Sequence, residues 1–140
     1  MTQEDKKLLL NDLCARLPYG VMYATEYGPR IINDLFIYSN GPVYTDHGVG
    51  DYNEVYGVEL ENIKPYLRPM SSMTEDEKTQ YRKTQDKISV QWDDYGQSIG
   101  YVYTSTIKTY DWLNAHHFDY RGLIEKGLAL EAPEGMYKFE

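Results

Sequence analysis

The chain has 140 residues, a formal net charge of −8, one cysteine and fifteen tyrosines against three phenylalanines. Its length suits a single domain, 1–140, that buries roughly two thirds of its unfolded surface. No apolar run approaches the ~18 residues of a membrane span, and the lone Cys14 excludes an internal disulfide and fits a reducing cytoplasm. Tyrosine joins a large apolar ring to a hydroxyl that seeks a partner, so many of the fifteen must pack inward with the hydroxyl at an edge. The acid is evenly spread, each half of the chain carrying −4, which rules out an acidic tail on a neutral body. Such a charge repels nucleic-acid phosphates at long range and favours a basic partner, beside its ordinary service to solubility.

The N-terminal run MTQEDKKLLLNDL lacks a basic region ahead of an apolar one and reads as a helix rather than a signal peptide. Thr2 is placed to cap it, and Glu4 and Asp5 occupy its first turn. Leu9, Leu13 and Leu17 share a face with Leu10 and Cys14 beside them, until Pro18 and Gly20 stop the helix.

From Val21 to Leu60 the runs VMYATEY, IINDLFIY, PVYTD and YNEVYGVEL are β-branched and aromatic. Gly28-Pro29, Asn40-Gly41-Pro42 and the stretch Asp46 to Asp51 separate them. They predict three or four antiparallel strands in a meander, a small sheet that could close into a barrel. Residues 63–70, IKPYLRPM, carry two prolines four apart and predict an extended connection over the domain. Thr74 and Glu77 then form a capping box ahead of a charged, solvated middle helix. ISVQW and IGYVYTS flank Asp93-Asp94-Tyr95-Gly96 and predict a second hairpin. Thr106 or Ser105 caps a C-terminal helix through IKTYDWLNAHH, and an apolar strand follows near Leu128–Leu130. The fold class expected is α+β, and Trp112, Leu113, Phe118, Leu123, Ile124, Leu128 and Leu130 are expected to supply much of its core.

Sequence motifs for catalysis are missing: there is no nucleophile elbow, phosphate loop, HExxH or paired CxxC. His116, His117 and Asp119 form the cluster nearest to a metal or acid–base site. Adjacent helical residues diverge by about 100°, so a packed His117 and an exposed His116 at the helix end are expected instead. In the stretch from Asp46 to Glu54 glycines take the third and fifth places, which defeats a calcium loop, and GVGDYN lacks the third glycine of a dinucleotide turn. Asp93-Asp94 reads as a turn device and Arg68 as a partner for the surplus acid. No catalytic residue, metal or cofactor is expected. The densest tyrosine-and-acid stretch, Tyr44, Asp46, His47, Asp51, Tyr52, Glu54 and Tyr56, is the candidate ligand- or partner-binding site, with Tyr52, Glu54 and Tyr56 on one strand face. That face could equally be the core side.

The strings LCARLPYGV (13–21), IKPYLRPMSSMTEDE (63–77) and WLNAHHFDYRGLIEKGLALEAP (112–133) resemble a family of short proteins from phages and mobile elements of Bacteroides-type gut bacteria. The family has no assigned activity, so no residue inherits a role. The resemblance implies context only: a cytoplasmic phage or mobile-element accessory protein acting on a host system. The function expected is therefore non-enzymatic binding of a basic host protein surface. The alternatives are sequestration of a nucleotide-like small molecule and, last, a histidine-dependent enzyme using His47, His116 or His117. Neither duplex DNA nor a membrane is an expected partner.

Overall fold

The computed structural model describes residues 1–37, 43–46, 57–91 and 98–137. Helix α1 spans Gln3–Arg16, with the Thr2 hydroxyl accepting from the Asp5 N–H at 3.0 Å and Arg16 in its last turn. Thr2 satisfies an orphan N–H, while Glu4 and Asp5 in the first turn and Arg16 in the last complement the helix dipole. The Leu17–Tyr19 turn ends on Gly20 at φ 71°, a left-handed conformation that glycine adopts without strain.

Strands β1 (Met22–Thr25) and β2 (Gly28–Ile31) form a hairpin with Ala24 opposite Pro29. The sequence reading put Gly28-Pro29 in the connection and began the next strand at Ile31. The turn instead falls at Glu26–Tyr27, fixed by the Thr25 hydroxyl, which donates to Gly28 O and accepts from Tyr27 N–H. Pro29 is tolerated because a strand of a two-stranded sheet has an outer side that needs no donor. Strands β3 (Leu35–Ile37), β4 (Val43–Asp46) and β5 (Gly57–Glu59) form an antiparallel meander in the order β3-β4-β5, while β1 and β2 stand in a sheet of their own, so the single meander expected from Val21 to Leu60 divides in two. No barrel closes among the described residues, whose strands divide into four small sheets.

Residues 63–70 differ most from expectation. These residues are extended, as the prolines demand, but they run through the molecule rather than over it. Ile63, Pro65 and Leu67 are buried. Strand β6 (Tyr66–Leu67) pairs in parallel with β9 (Leu130–Glu131). One edge of the segment is bonded by Ala24 N→Lys64 O, Arg68 N→His117 O and Asp119 N→Arg68 O. The other is bonded by Leu130 N→Pro65 O and Ala132 N→Leu67 O. The segment can be buried because both of its edges find backbone partners.

Helix α2 (Glu75–Thr84) has the complete Thr74/Glu77 capping box and buries none of its residues, as its composition predicts. The hairpin β7 (Asp86–Gln91) and β8 (Ser98–Thr104) follows, then α3 (Ile107–Ala115), capped by Thr106. The main core joins Leu9 and Leu13 of α1 to Val21, Tyr23, Ile32, Ile63, Leu67, Leu123 and Leu128. A second cluster of Met73, Leu113 and Phe118 lies between α2 and α3, with Tyr81, Trp112 and Tyr120 around it. Of the C-terminal apolar residues expected inside, Leu113, Phe118, Leu123 and Leu128 are buried, while Trp112, Ile124 and Leu130 are only half-buried. Trp112 loses full cover because α2, the element above it, offers Tyr81 and little else apolar. No helix among the described residues is long and apolar enough to cross a membrane.

Candidate ligand-binding groove

A groove of about 790 Å³ opens where the 69–71 turn, α2, the start of α3 and the 119–125 turn meet. Leu113 forms part of its floor and Tyr81, Tyr110 and Tyr120 form its walls. Glu125 and Glu131 stand exposed at its margin.

The chain builds these walls with local devices. Asp119 is used inside the structure, its two carboxylate oxygens accepting the Leu123 and Ile124 N–H groups at 2.9 Å each. It thereby caps the turn that carries Tyr120 and Glu125, and Gly122 enters that turn at φ 74°. The Tyr120 hydroxyl donates to Asn114 Oδ1 at 2.9 Å and accepts from Arg121 Nη2 at 3.0 Å, which fixes the ring. Tyr110 meets it with ring centroids 5.3 Å apart at 58°. The guanidinium groups of Arg16 and Arg121 lie 5.4 Å and 5.0 Å from the centre of the Tyr120 ring. The wall is therefore rigid, while Tyr110, 47 % exposed, offers its ring to whatever enters.

Behind the groove lies a buried ionic cluster. Arg16 binds Asp12 through Nε at 2.8 Å and Nη2 at 3.2 Å, and Nη2 also donates to Phe118 O. Arg121 Nε lies 3.2 Å from Asp12 Oδ1. Asp12 and Arg16 are fully buried on the same α1 face as Leu9 and Leu13. Their bidentate geometry and their place at the α1–α3 junction mark them as a structural joint.

The histidines divide as the sequence reading expects for His117, which is buried. His116 is half-buried rather than exposed, its ring stacked on Trp112 at 4.2 Å and Nδ1 lying 2.9 Å from Trp112 O. Burial, reinforced by the nearby Arg16 charge, pushes the His117 imidazole down to about 3, so it stays neutral in the fold. No group of three or more metal-binding side chains gathers among the described residues. Arg68 serves the surplus acid as expected. Its Nη2 donates to Glu77 at 2.7 Å, and its guanidinium lies 4.2 Å from the centre of the Phe118 ring.

Of the candidate loop residues, Tyr44 and Asp46 belong to β4, where Tyr44 stands in register between Phe36 and Glu59 and Asp46 opposite Gly57. His47, Asp51, Tyr52, Glu54 and Tyr56 lie outside the described residues, as does the turn at Asp93-Asp94. No local sequence pattern marks the groove, since its walls come from segments far apart in sequence. Tyr120, Glu125 and Glu131 all stood in the run 112–133, and their polarity amid a core-forming stretch was the available signal.

The fold and groove together define an α+β protein with an acidic, tyrosine-walled surface site. No family model, curated protein or solved structure matches the chain.

Proposed function

We propose that the protein is a non-enzymatic binding protein, a cytoplasmic accessory protein of phage or mobile-element type, whose groove receives a basic segment of a host protein. One observation carries the reading: Tyr81, Tyr110 and Tyr120 line a groove bordered by the exposed carboxylates of Glu125 and Glu131. Aromatic faces attract lysine and arginine, and carboxylates at the rim select the same charge and steer its approach. Hydrogen bonds hold the Tyr120 ring, and ring contacts with Trp112 and Tyr120 support Tyr81 and Tyr110, which limits the ordering that binding must impose. A nucleotide-like ligand is the second reading, supported by a volume within the range of small-molecule sites. It is the weaker one, because phosphate would meet the rim carboxylates.

Titration of a fluorescent oligolysine peptide into the full chain tests this. Glu125→Lys with Glu131→Lys should weaken binding about tenfold or more, and Tyr110→Ala should weaken it too. Glu4→Lys with Glu26→Lys changes the net charge equally but far from the groove, and should act only through the general field. Equal losses from both charge pairs would refute a localised site. Native mass spectrometry of protein isolated from its host cells would then reveal a retained protein or small molecule.

A further inference from the structure

The β7–β8 hairpin exposes both of its faces. Ile88, Tyr101, Val102 and Tyr103 are 50, 60, 48 and 40 % exposed. The register sorts them: Ile88 opposes Val102 on one face, while Lys87 opposes Tyr103 and Ser89 opposes Tyr101 on the other. That second face is a file of alternating cations and rings. The Arg82 guanidinium, from the last turn of α2, lies 5.3 Å from the centre of the Tyr103 ring, and Lys87 Nζ lies 3.9 Å from that of Tyr101. Lys83 is exposed beside Arg82, and among the described residues no ion pair engages Arg82, Lys83 or Lys87. Asp86, the nearest acid in sequence, pairs with Thr104 and so belongs to the opposite face.

We infer that this face is a binding platform for single-stranded nucleic acid, a site separate from the acidic groove. Two rings at i and i+2 on one strand stand about 7 Å apart, each with a cation over it and each partly open to solvent. Unpaired bases stack on such rings while their phosphates meet the adjoining cations, a combination that needs no base sequence. An acidic protein segment would use the cations and leave both rings idle, which is why nucleic acid is the favoured occupant. A duplex keeps its base faces closed within the stack and cannot use the platform. Acid more than about 10 Å from the platform is screened at 0.1 M salt, and Asp86, beside Lys87 in the chain, faces the other way, so the cations dominate the field on this face.

The test is fluorescence anisotropy of a labelled oligothymidylate of about 12 nucleotides with the full chain at about 0.05 M salt. Micromolar binding is expected, with log K falling against log salt with a slope of about −1.4, since the two platform cations contribute roughly −0.7 each on a single strand. Tyr101→Ala with Tyr103→Ala should weaken binding about tenfold or more, while the corresponding phenylalanine pair should retain it. Arg82→Glu with Lys87→Glu should abolish binding without touching the rings, which keeps the test valid if the alanine pair disturbs the hairpin. No binding at tens of micromolar protein would overturn the inference. Affinity unchanged in both the alanine and glutamate pairs would do the same, and so would polyglutamate binding as tightly as the oligonucleotide.

Discussion

His117 lies face to face with Tyr137, their ring centroids 3.9 Å apart and their planes 23° from parallel. The contact ties the end of α3 to the C-terminal segment. The Tyr137 hydroxyl extends the tie, accepting from the Met22 N–H and donating to Tyr66 O, each at 2.8 Å. His117 holds φ 60°, a left-handed conformation uncommon outside glycine, though histidine, like asparagine and aspartate, adopts it more readily than most. It persists because the residue is fixed on both sides: its carbonyl accepts the Arg68 N–H and its ring is stacked. Burial raises the Tyr137 hydroxyl to about 12, so this pin stays neutral across the physiological range.

The first prediction concerns acid. In the unfolded chain His117 takes up a proton near pH 6.5, whereas in the fold it resists protonation down to about 3. The unfolded state therefore binds more protons through that window, and stability falls as the pH drops from 6.5 towards 3. His117→Asn, which accepts the same backbone conformation and does not titrate, should flatten this part of a plot of Tm against pH. It should also lower Tm at neutral pH by removing the ring contact. A variant curve parallel to the parent's between pH 6.5 and 4 would show that other groups control the acid limb.

The buried Asp12–Arg16 pair yields the second prediction. Asp12→Ala leaves the fully buried Arg16 guanidinium without its counter-charge and should destabilise the protein by about 3–5 kcal/mol. Arg16 Nη1 already lacks a hydrogen-bond partner, so the site has no spare acceptor to offer in compensation. Chemical denaturation of the variant measures the cost, and a loss below about 1 kcal/mol would mean that the pair behaves as a solvated one.

Third, the large apolar penalty belongs to Phe118 rather than Trp112. Phe118 is fully buried beneath Arg68 and packs parallel to Trp112, with centroids 5.6 Å apart. Phe118→Ala should cost about 3–5 kcal/mol, the range for emptying a buried aromatic site. Trp112→Ala should cost less, since its half-buried ring keeps only part of its surface from water. Equal losses in thermal unfolding would show that α2 covers Trp112 more fully than this arrangement implies.

The fourth prediction is that duplex DNA is not bound. The cations of the hairpin face form a short file on a chain of charge −8, too few to offset its repulsion of a duplex. A mobility-shift assay at about 0.1 M salt should show no complex, and micromolar binding there would contradict the reading.

Much of the fold was legible from local chemistry. The cap at Thr2 and the box at Thr74 and Glu77 depend on residues three positions apart, and the strands of the second sheet and of the second hairpin show in their own β-branched and aromatic composition, so local sequence indicates them. The leucine stripe of α1 was equally readable. That Asp12 and Arg16 share its buried face was not, because polar residues on such a face become favourable only when Phe118 and Arg121 arrive from the far end of the chain. The same limit applies to residues 63–68. Prolines made them extended, but their burial depended on backbone partners from β1, 117–119 and 130–132. The groove depended likewise on tertiary assembly, since Tyr81, Tyr110, Tyr120 and Glu131 meet only after that spine is in place. Sequence thus determined the helices and most strands, and the acidic, tyrosine-rich composition of the chain, but not the β2 register or the place of β6. Tertiary structure decided where rings and charges converge, because convergence across a fold follows from long-range pairing that no local pattern encodes.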